Sequence, residues 1–441
     1  MGTTVLIDLG DDWSVDEDAP GHRRARPRFF LAGLAGVLVL LLSVSAAPPR
    51  SAFVRVATIS VQGQVTVEPG PRSVFVGEQT LGGQDVSRYS IATGRRLWRT
   101  PVSDTPENLR YIGAAGVVAV STFEPVPDSA RLTVLDVNTG RRLWSTAGYP
   151  LWSWPPDAQA QRGQYALLLL GAPAGPRQLR FVQMRTGHVS WSRPIEAGSQ
   201  VQLADWRRSD APDILVVGPD GVATVLARAT GAVLGRTRLA GMSGPDGAND
   251  PTGQTSVSVV GTSVIVQRRA GSVTALTDYT LPGLTRRWQR SGPYFGFPGD
   301  CGPVLCVAEL DRLVGLDPGS GSIRWSVSDW QGASLIEGDE LLGYRIAAGE
   351  RSGVLDARTG RLLLGLGGWS PLAAFGTARL MAEPDSSDYR YTWFARLDPG
   401  GAVLHPMARV TGIGLQGCQP DRDLLFCASM ESDVSVWRYA A

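Results

Sequence analysis

Few side chains in this 441-residue chain could do chemistry: four cysteines, three histidines and an aspartate that returns at intervals. Cys301 and Cys306 form one close pair, and Cys418 and Cys427 form another. Zinc sites usually pair cysteines as C-x2-4-C with histidine nearby. His22, His188 and His405 accompany neither pair. Cys306 lies five residues before the alternating strand Asp311-Arg312-Leu313-Val314 and Cys427 six before Asp433-Val434-Ser435-Val436, so the two pairs occupy equivalent places. Of the three pairings that four cysteines allow, that placement selects local disulfides, Cys301–Cys306 and Cys418–Cys427. Such bridges persist in oxidising compartments.

Catalytic arrangements do not emerge. The sequence has no G-x-S-x-G elbow, and three histidines leave a nucleophilic triad few candidates. Asp246, Asn249 and Asp250 make an acidic loop without the D-x-D-x-D-G spacing of a calcium site, and read as a solvated insertion. The expectation is no catalytic residue, no metal and no cofactor. Asp136, Asp317, Asp356 and Asp398 recur just before a glycine, which is the behaviour of a turn-forming residue.

The elements that carry these residues form a repeat. A turn glycine is followed four places later by tryptophan in ATGRRLW ending at Trp98, NTGRRLW at Trp144, RTGHVSW at Trp191 and GSGSIRW at Trp325. Weaker copies are ATGAVLG around Gly231, LPGLTRRW ending at Trp288, RTGRLLL around Gly360 and PGGAVLH ending at His405. Turn positions Gly94, Gly140, Gly187, Gly231, Gly283, Gly321, Gly360 and Gly401 recur about every 44 residues, the period of a four-stranded propeller blade. Alternating strands such as Arg131-Leu132-Thr133-Val134-Leu135-Asp136 lead into each turn. Trp98, Trp144, Trp191, Trp288 and Trp325 are assigned to the gaps between blades. A second aromatic set, Tyr149, Trp152, Trp154, Tyr294 and Trp369, falls between units together with Trp206, Phe295, Phe297 and Trp330. Gathered on one face, these would offer a binding surface for a peptide, glycan or partner domain.

Residues 29–47, FFLAGLAGVLVLLLSVSAA, are uncharged and long enough to cross a bilayer. Arg23, Arg24, Arg26 and Arg28 precede them, which puts the N-terminus inside and everything after Arg50 outside. The acidic tail before them, with Asp8, Asp11, Asp12, Asp16, Glu17 and Asp18, reads as disordered. A net charge of +1 excludes a general nucleic-acid binder. All 42 basic residues are arginine, the mark of a high-GC bacterial genome.

The D-x-x-T-G-x-x-x-W unit from Asp136 to Trp144, with its looser copies, resembles the tryptophan-docking repeat of PQQ-like (pyrroloquinoline quinone) β-propellers. That family includes quinoprotein alcohol dehydrogenases, the assembly lipoprotein of the BAM complex and membrane-anchored actinobacterial proteins, which this chain resembles most. The resemblance covers nearly everything after residue 50. Its dehydrogenases hold their cofactor with a vicinal Cys-Cys disulfide and calcium, and no adjacent cysteines occur here. The expected architecture is all-β. Residues 1–28 form the tail, 29–47 a transmembrane helix, and 48–441 an extracytoplasmic propeller. Eight turn motifs and a partial last unit count nine literally, while family precedent predicts eight four-stranded blades, to within one. The expected function is a non-enzymatic interaction scaffold in the cell envelope, binding a protein or peptide. The alternatives are a quinoprotein-type enzyme or cofactor binder and a transmembrane sensor.

Overall fold

Period-two alternation builds strands, and in the computed structural model these form nine four-stranded antiparallel sheets. The structure describes residues 53–439, except 62–64, 81–82, 103–105, 123–129, 152–163, 172–176, 204–213, 243–254, 346–351, 373–378, 386, 389, 422 and 430–432. The chain divides into two units, Met1–Arg50 and Ser51–Ala441, and the sheets belong to the second. Blades 1 to 8 take consecutive segments: residues 65–102, 106–147, 149–195, 200–238, 255–292, 295–328, 332–367 and 370–411. Blade 9 takes three strands from residues 413–439 and its fourth from the other end of the described chain. Phe53–Ser60 pairs with Asp433–Tyr439 from Phe53↔Tyr439 to Ser60↔Asp433. The expected eight blades are therefore corrected to nine. Eight turn motifs join third to fourth strands, but blade 9 needs no such turn because its fourth strand arrives from elsewhere.

Burial on both faces of each sheet follows from the alternation. In Val117–Thr122 of blade 2, Val118 and Val120 join the cluster shared with blade 1, while Val117 and Ala119 join the cluster shared with blade 3. Every seam has such a cluster, and together they circle the ring without a gap. Ile59, Val67, Val74, Phe426 and Val434 fill the seam between blades 9 and 1, which closes the circle. First strands meet first strands at the axis, where side chains stitch them. Gln202 of blade 4 donates from Nε2 to the Val257 carbonyl of blade 5 (2.5 Å) and accepts from the Val259 N–H (3.0 Å). Glu68 of blade 1 accepts the Tyr111 N–H of blade 2 (2.9 Å).

Cys301–Cys306 and Cys418–Cys427 are disulfides, each tying the first strand of a blade to its second, in blades 6 and 9. Among the described residues the single helical element is a 3-10 turn at Gly113–Ala115, and no helix is long and apolar enough to cross a membrane. The tail at 1–28 and the span expected at 29–47 lie outside the described residues.

Candidate functional site

The corner between third and fourth strands is built the same way in blade after blade. In blade 2, Asp136 Oδ1 accepts the N–H groups of Asn138 and Thr139 and the Thr139 hydroxyl, all at 3.0 Å. Asp317 and Asp356 cap their corners alike, through Gly319 and Ser320 and through Arg358 and Thr359. These bonds favour the carboxylate. Burial opposes ionisation of Asp136, but the Thr139 and Asn138 groups and Arg185 outweigh it, so its carboxyl sits below the ordinary range. Arg324 leads the effects that hold Asp317 low, and the Thr359 hydroxyl leads at Asp356. Asp398 instead accepts from its own blade's His405, Nε2 to Oδ2 at 2.8 Å.

Strand register places one residue per blade at the position from which tryptophan reaches the next corner. From blade 9 through blade 8 these are Ala57, Trp98, Trp144, Trp191, Gly235, Trp288, Trp325, Leu364 and His405. Each indole N–H donates to a carbonyl of the next blade: Trp98 to Val137 (3.0 Å), Trp144 to Met184 (2.8 Å), Trp191 to Arg228 (2.7 Å), Trp288 to Pro318 (3.0 Å) and Trp325 to Ala357 (2.9 Å). The five rings lie on Gly140, Gly187, Gly231, Gly321 and Gly360, where a Cβ would come within 2.6–2.9 Å of the indole. Gly235 is approached instead by the Pro282 carbonyl of blade 5. The turn position read as Gly283 is corrected to Leu284, which carries the positive φ (53°) and the corner hydrogen bond to Thr280.

The second aromatic set is dispersed. Tyr294 is buried in the seam of blades 5 and 6, and its hydroxyl accepts from Arg290 Nε (2.5 Å). Trp330 is buried between blades 6 and 7, under the Arg345 guanidinium 4.5 Å from its ring. Trp369 packs, half-buried, between blades 7 and 8. Tyr149 and Phe297 are exposed. The side chain of Phe295 and all of Trp152, Trp154, Trp206, Asp246, Asn249 and Asp250 lie outside what is described.

What the corner face does expose is arginine. Third strands of all blades end at this face, and Phe53 lies opposite Tyr439, the last residue of blade 9's third strand, so the chain enters the ring here. Blade 1 presents Arg95 and Arg96 after its corner and Arg72 in the turn between its first two strands; blade 2 presents Arg141 and Arg142. Arg95, Arg141 and Arg142 are exposed and make no ion pair among the described residues. Elsewhere on this face Arg324 is matched by Asp317 and Arg358 by Asp339 (2.7 Å), while Arg286 of blade 5 and Arg361 of blade 7 are also exposed without an ion pair among the described residues, one to a blade rather than in adjacent blades. Leu97, next to Arg96, and Val54, opposite Arg438 on blade 9, are 53% and 56% exposed.

Sequence reading missed two buried ionic groups. In blade 5, Arg287 donates to both oxygens of the fully buried Asp278 (2.5 and 3.1 Å) and to the Ser263 hydroxyl. Burial pushes the Asp278 carboxyl up and Arg287 offsets this only in part. Between blades 7 and 8, Glu340 accepts from Arg379 Nη1 and the Gly400 N–H, each at 2.5 Å. Glu340 and its partners are far apart in sequence, whereas Asp278 and Arg287 face each other across one corner, outside the motif letters. Among the described residues no group of three or more His, Cys, Asp or Glu is placed to hold a metal.

Residues 44–289 match the family described as outer membrane protein assembly factor BamB, a PQQ-type propeller family. No curated protein matches the chain. Solved structures with a similar arrangement include BamB from Moraxella catarrhalis, at 14% identity and TM-score 0.44, covering 88% of this chain and 100% of that one. Dihydro-heme d1 dehydrogenase NirN matches at 16% identity and TM-score 0.42, covering 86% and 85%. Quinohemoprotein alcohol dehydrogenase from Comamonas testosteroni matches at 15% and 0.36, covering 84% of this chain and 66% of that one.

Proposed function

The chain belongs to the PQQ-like propeller family of the outer membrane protein assembly factor BamB, and from that premise we propose that it is a non-enzymatic scaffold of the cell envelope. One observation carries this reading: carboxylates at the corners and seams are engaged in turn caps and ion pairs, while the corner face of blades 1 and 2 offers unmatched arginines. A rigid ring displaying exposed side chains is suited to binding rather than to moving protons. Family membership supports a protein partner in an envelope assembly. The disulfides support an oxidising compartment, and residues 29–47 would hold the ring on its outer side by one span, N-terminus inside.

The test uses the full chain in its native membrane. Crosslinking should recover a defined protein partner. Dye-linked alcohol oxidation by the purified chain with added pyrroloquinoline quinone and calcium should stay at background. Turnover above background, with no crosslinked partner, refutes the scaffold and favours the quinoprotein reading.

A further inference from the structure

We propose that the corner face of blades 1 and 2 docks against an anionic phospholipid surface, with Arg95, Arg141 and Arg142 at the headgroups and Leu97 and Val54 on the same face. The proposal rests on the anchored reading and adds to it which face of the ring meets the bilayer and through which residues.

Three observations converge. The first is charge. Arg72, Arg95, Arg96, Arg141 and Arg142 lie on the corner face of two adjacent blades; of the acids on that face, Asp136 is engaged by Arg185 (3.1 Å) and its own turn, and Asp423 of blade 9 by Arg438 (3.7 Å). An exposed arginine without an ion pair loses nothing by meeting a phosphate, whereas Arg324 and Arg358 would have to give up a carboxylate. The second is position. Phe53 enters blade 9 on this same face, and blade 9 adjoins blade 1. Only residues 48–52 separate the apolar run from that strand. The third is the company they keep. Leu97 directly follows Arg96, and Val54 follows Phe53, both about half exposed at the face where an interfacial apolar side chain could enter the headgroup boundary.

The full chain is reconstituted into nanodiscs of phosphatidylcholine alone or with about one-third phosphatidylglycerol. Phenylglyoxal modification of each arginine is then followed by mass spectrometry. Arg95, Arg141 and Arg142 should react about fivefold more slowly in the anionic discs. The protection should vanish in about 0.5 M salt, where the Debye length falls to about 4 Å. Arg236, on the outer strand of blade 4, should react equally in both. Equal rates for the three arginines in the two discs overturn the proposal. Equal protection by polyglutamate in neutral discs also overturns it and assigns the face to an acidic polypeptide. Release of the chain from neutral vesicles by carbonate refutes the anchor. Unprotected arginines in a chain that resists carbonate refute the lipid face and leave the anchor standing.

Discussion

At Gly187 the three atoms nearest a built Cβ all belong to the Trp144 indole (2.9, 3.0 and 3.3 Å), which makes this corner contact suited to a double-mutant cycle. Trp144→Ala removes a half-buried ring and should destabilise the ring by about 3 kcal/mol. With roughly 390 residues unfolding together, the entropy of unfolding near the midpoint is about 0.8 kcal/mol/K, so Tm should fall by about 4 °C. Trp144→Phe keeps most of the packing but strands the buried Met184 carbonyl, for about 1–2 kcal/mol. Gly187→Ala faces two penalties. Its φ of +73° strains an L-residue by about 1–2 kcal/mol, and its Cβ must push the indole aside. In the Trp144→Ala background the second penalty disappears. The double-mutant cycle should therefore show coupling of at least about 1 kcal/mol, the double variant being more stable than the sum predicts. Urea unfolding of the solubilised full chain, followed by far-ultraviolet circular dichroism, measures all four corners of the cycle. Additivity to within about 0.3 kcal/mol would refute the claim that the indole rests on this glycine.

Asp136, Asp317 and Asp356 have carboxyls held below their ordinary value of 3.8, so their stabilisation is full above that value and fades as pH falls through the folded-state values. The urea midpoint should be flat near neutrality and drop below about pH 4, and Asp317→Asn with Asp356→Asn should shrink the drop. Asp278→Ala should cost about 3–5 kcal/mol, because Arg287 is left unpaired at a site only 23% exposed; a loss under about 1 kcal/mol, read by urea unfolding, would count against the pairing. Non-reducing peptide maps should show Cys301–Cys306 and Cys418–Cys427, and reduction should lower stability by about 2–3 kcal/mol per bridge if the loop-closure account holds.

How much of this was legible depends on how local the signal was. The Asp–Thr–Gly corner and its tryptophan sit within nine residues from Asp136 to Trp144, so strand type, turn and period could be read directly. The ninth blade was harder, since its fourth strand carries Ala57 at the docking position and lies at the opposite end of the chain from its partner. Leu284 was misread because a glycine stands next to it and glycine is the usual owner of positive φ. Three described members of the aromatic set lie in seams for a different reason. Tyr294, Trp330 and Trp369 share a place between blades, but that place borders the seams, and large apolar rings there gain more from burial than from exposure. The arginines went unnoticed because a repeat shows Arg95 and Arg141 as motif letters, and only the sheet order reveals that neighbouring blades stack their charge on the face where the chain comes in.

Blade 9 has a consequence in time. Its fourth strand, Phe53–Ser60, leaves the ribosome first among the blades and must wait for Asp433–Tyr439, synthesised last, before it has a partner. Until then the circle is an open arc with two raw edges. The residues at the docking positions on either side of the late blade, His405 and Ala57, are among the few that are not tryptophan, so the last joints to form are also weakly fastened. In the finished molecule these two joints, like those at Gly235 and Leu364, lack the indole bond, and hydrogen exchange along Phe53–Ser60 and its partner strand should be faster than in blades docked by tryptophan. Closure is thus the step that joins the most distant segments of the ring, and it is expected to come late in folding.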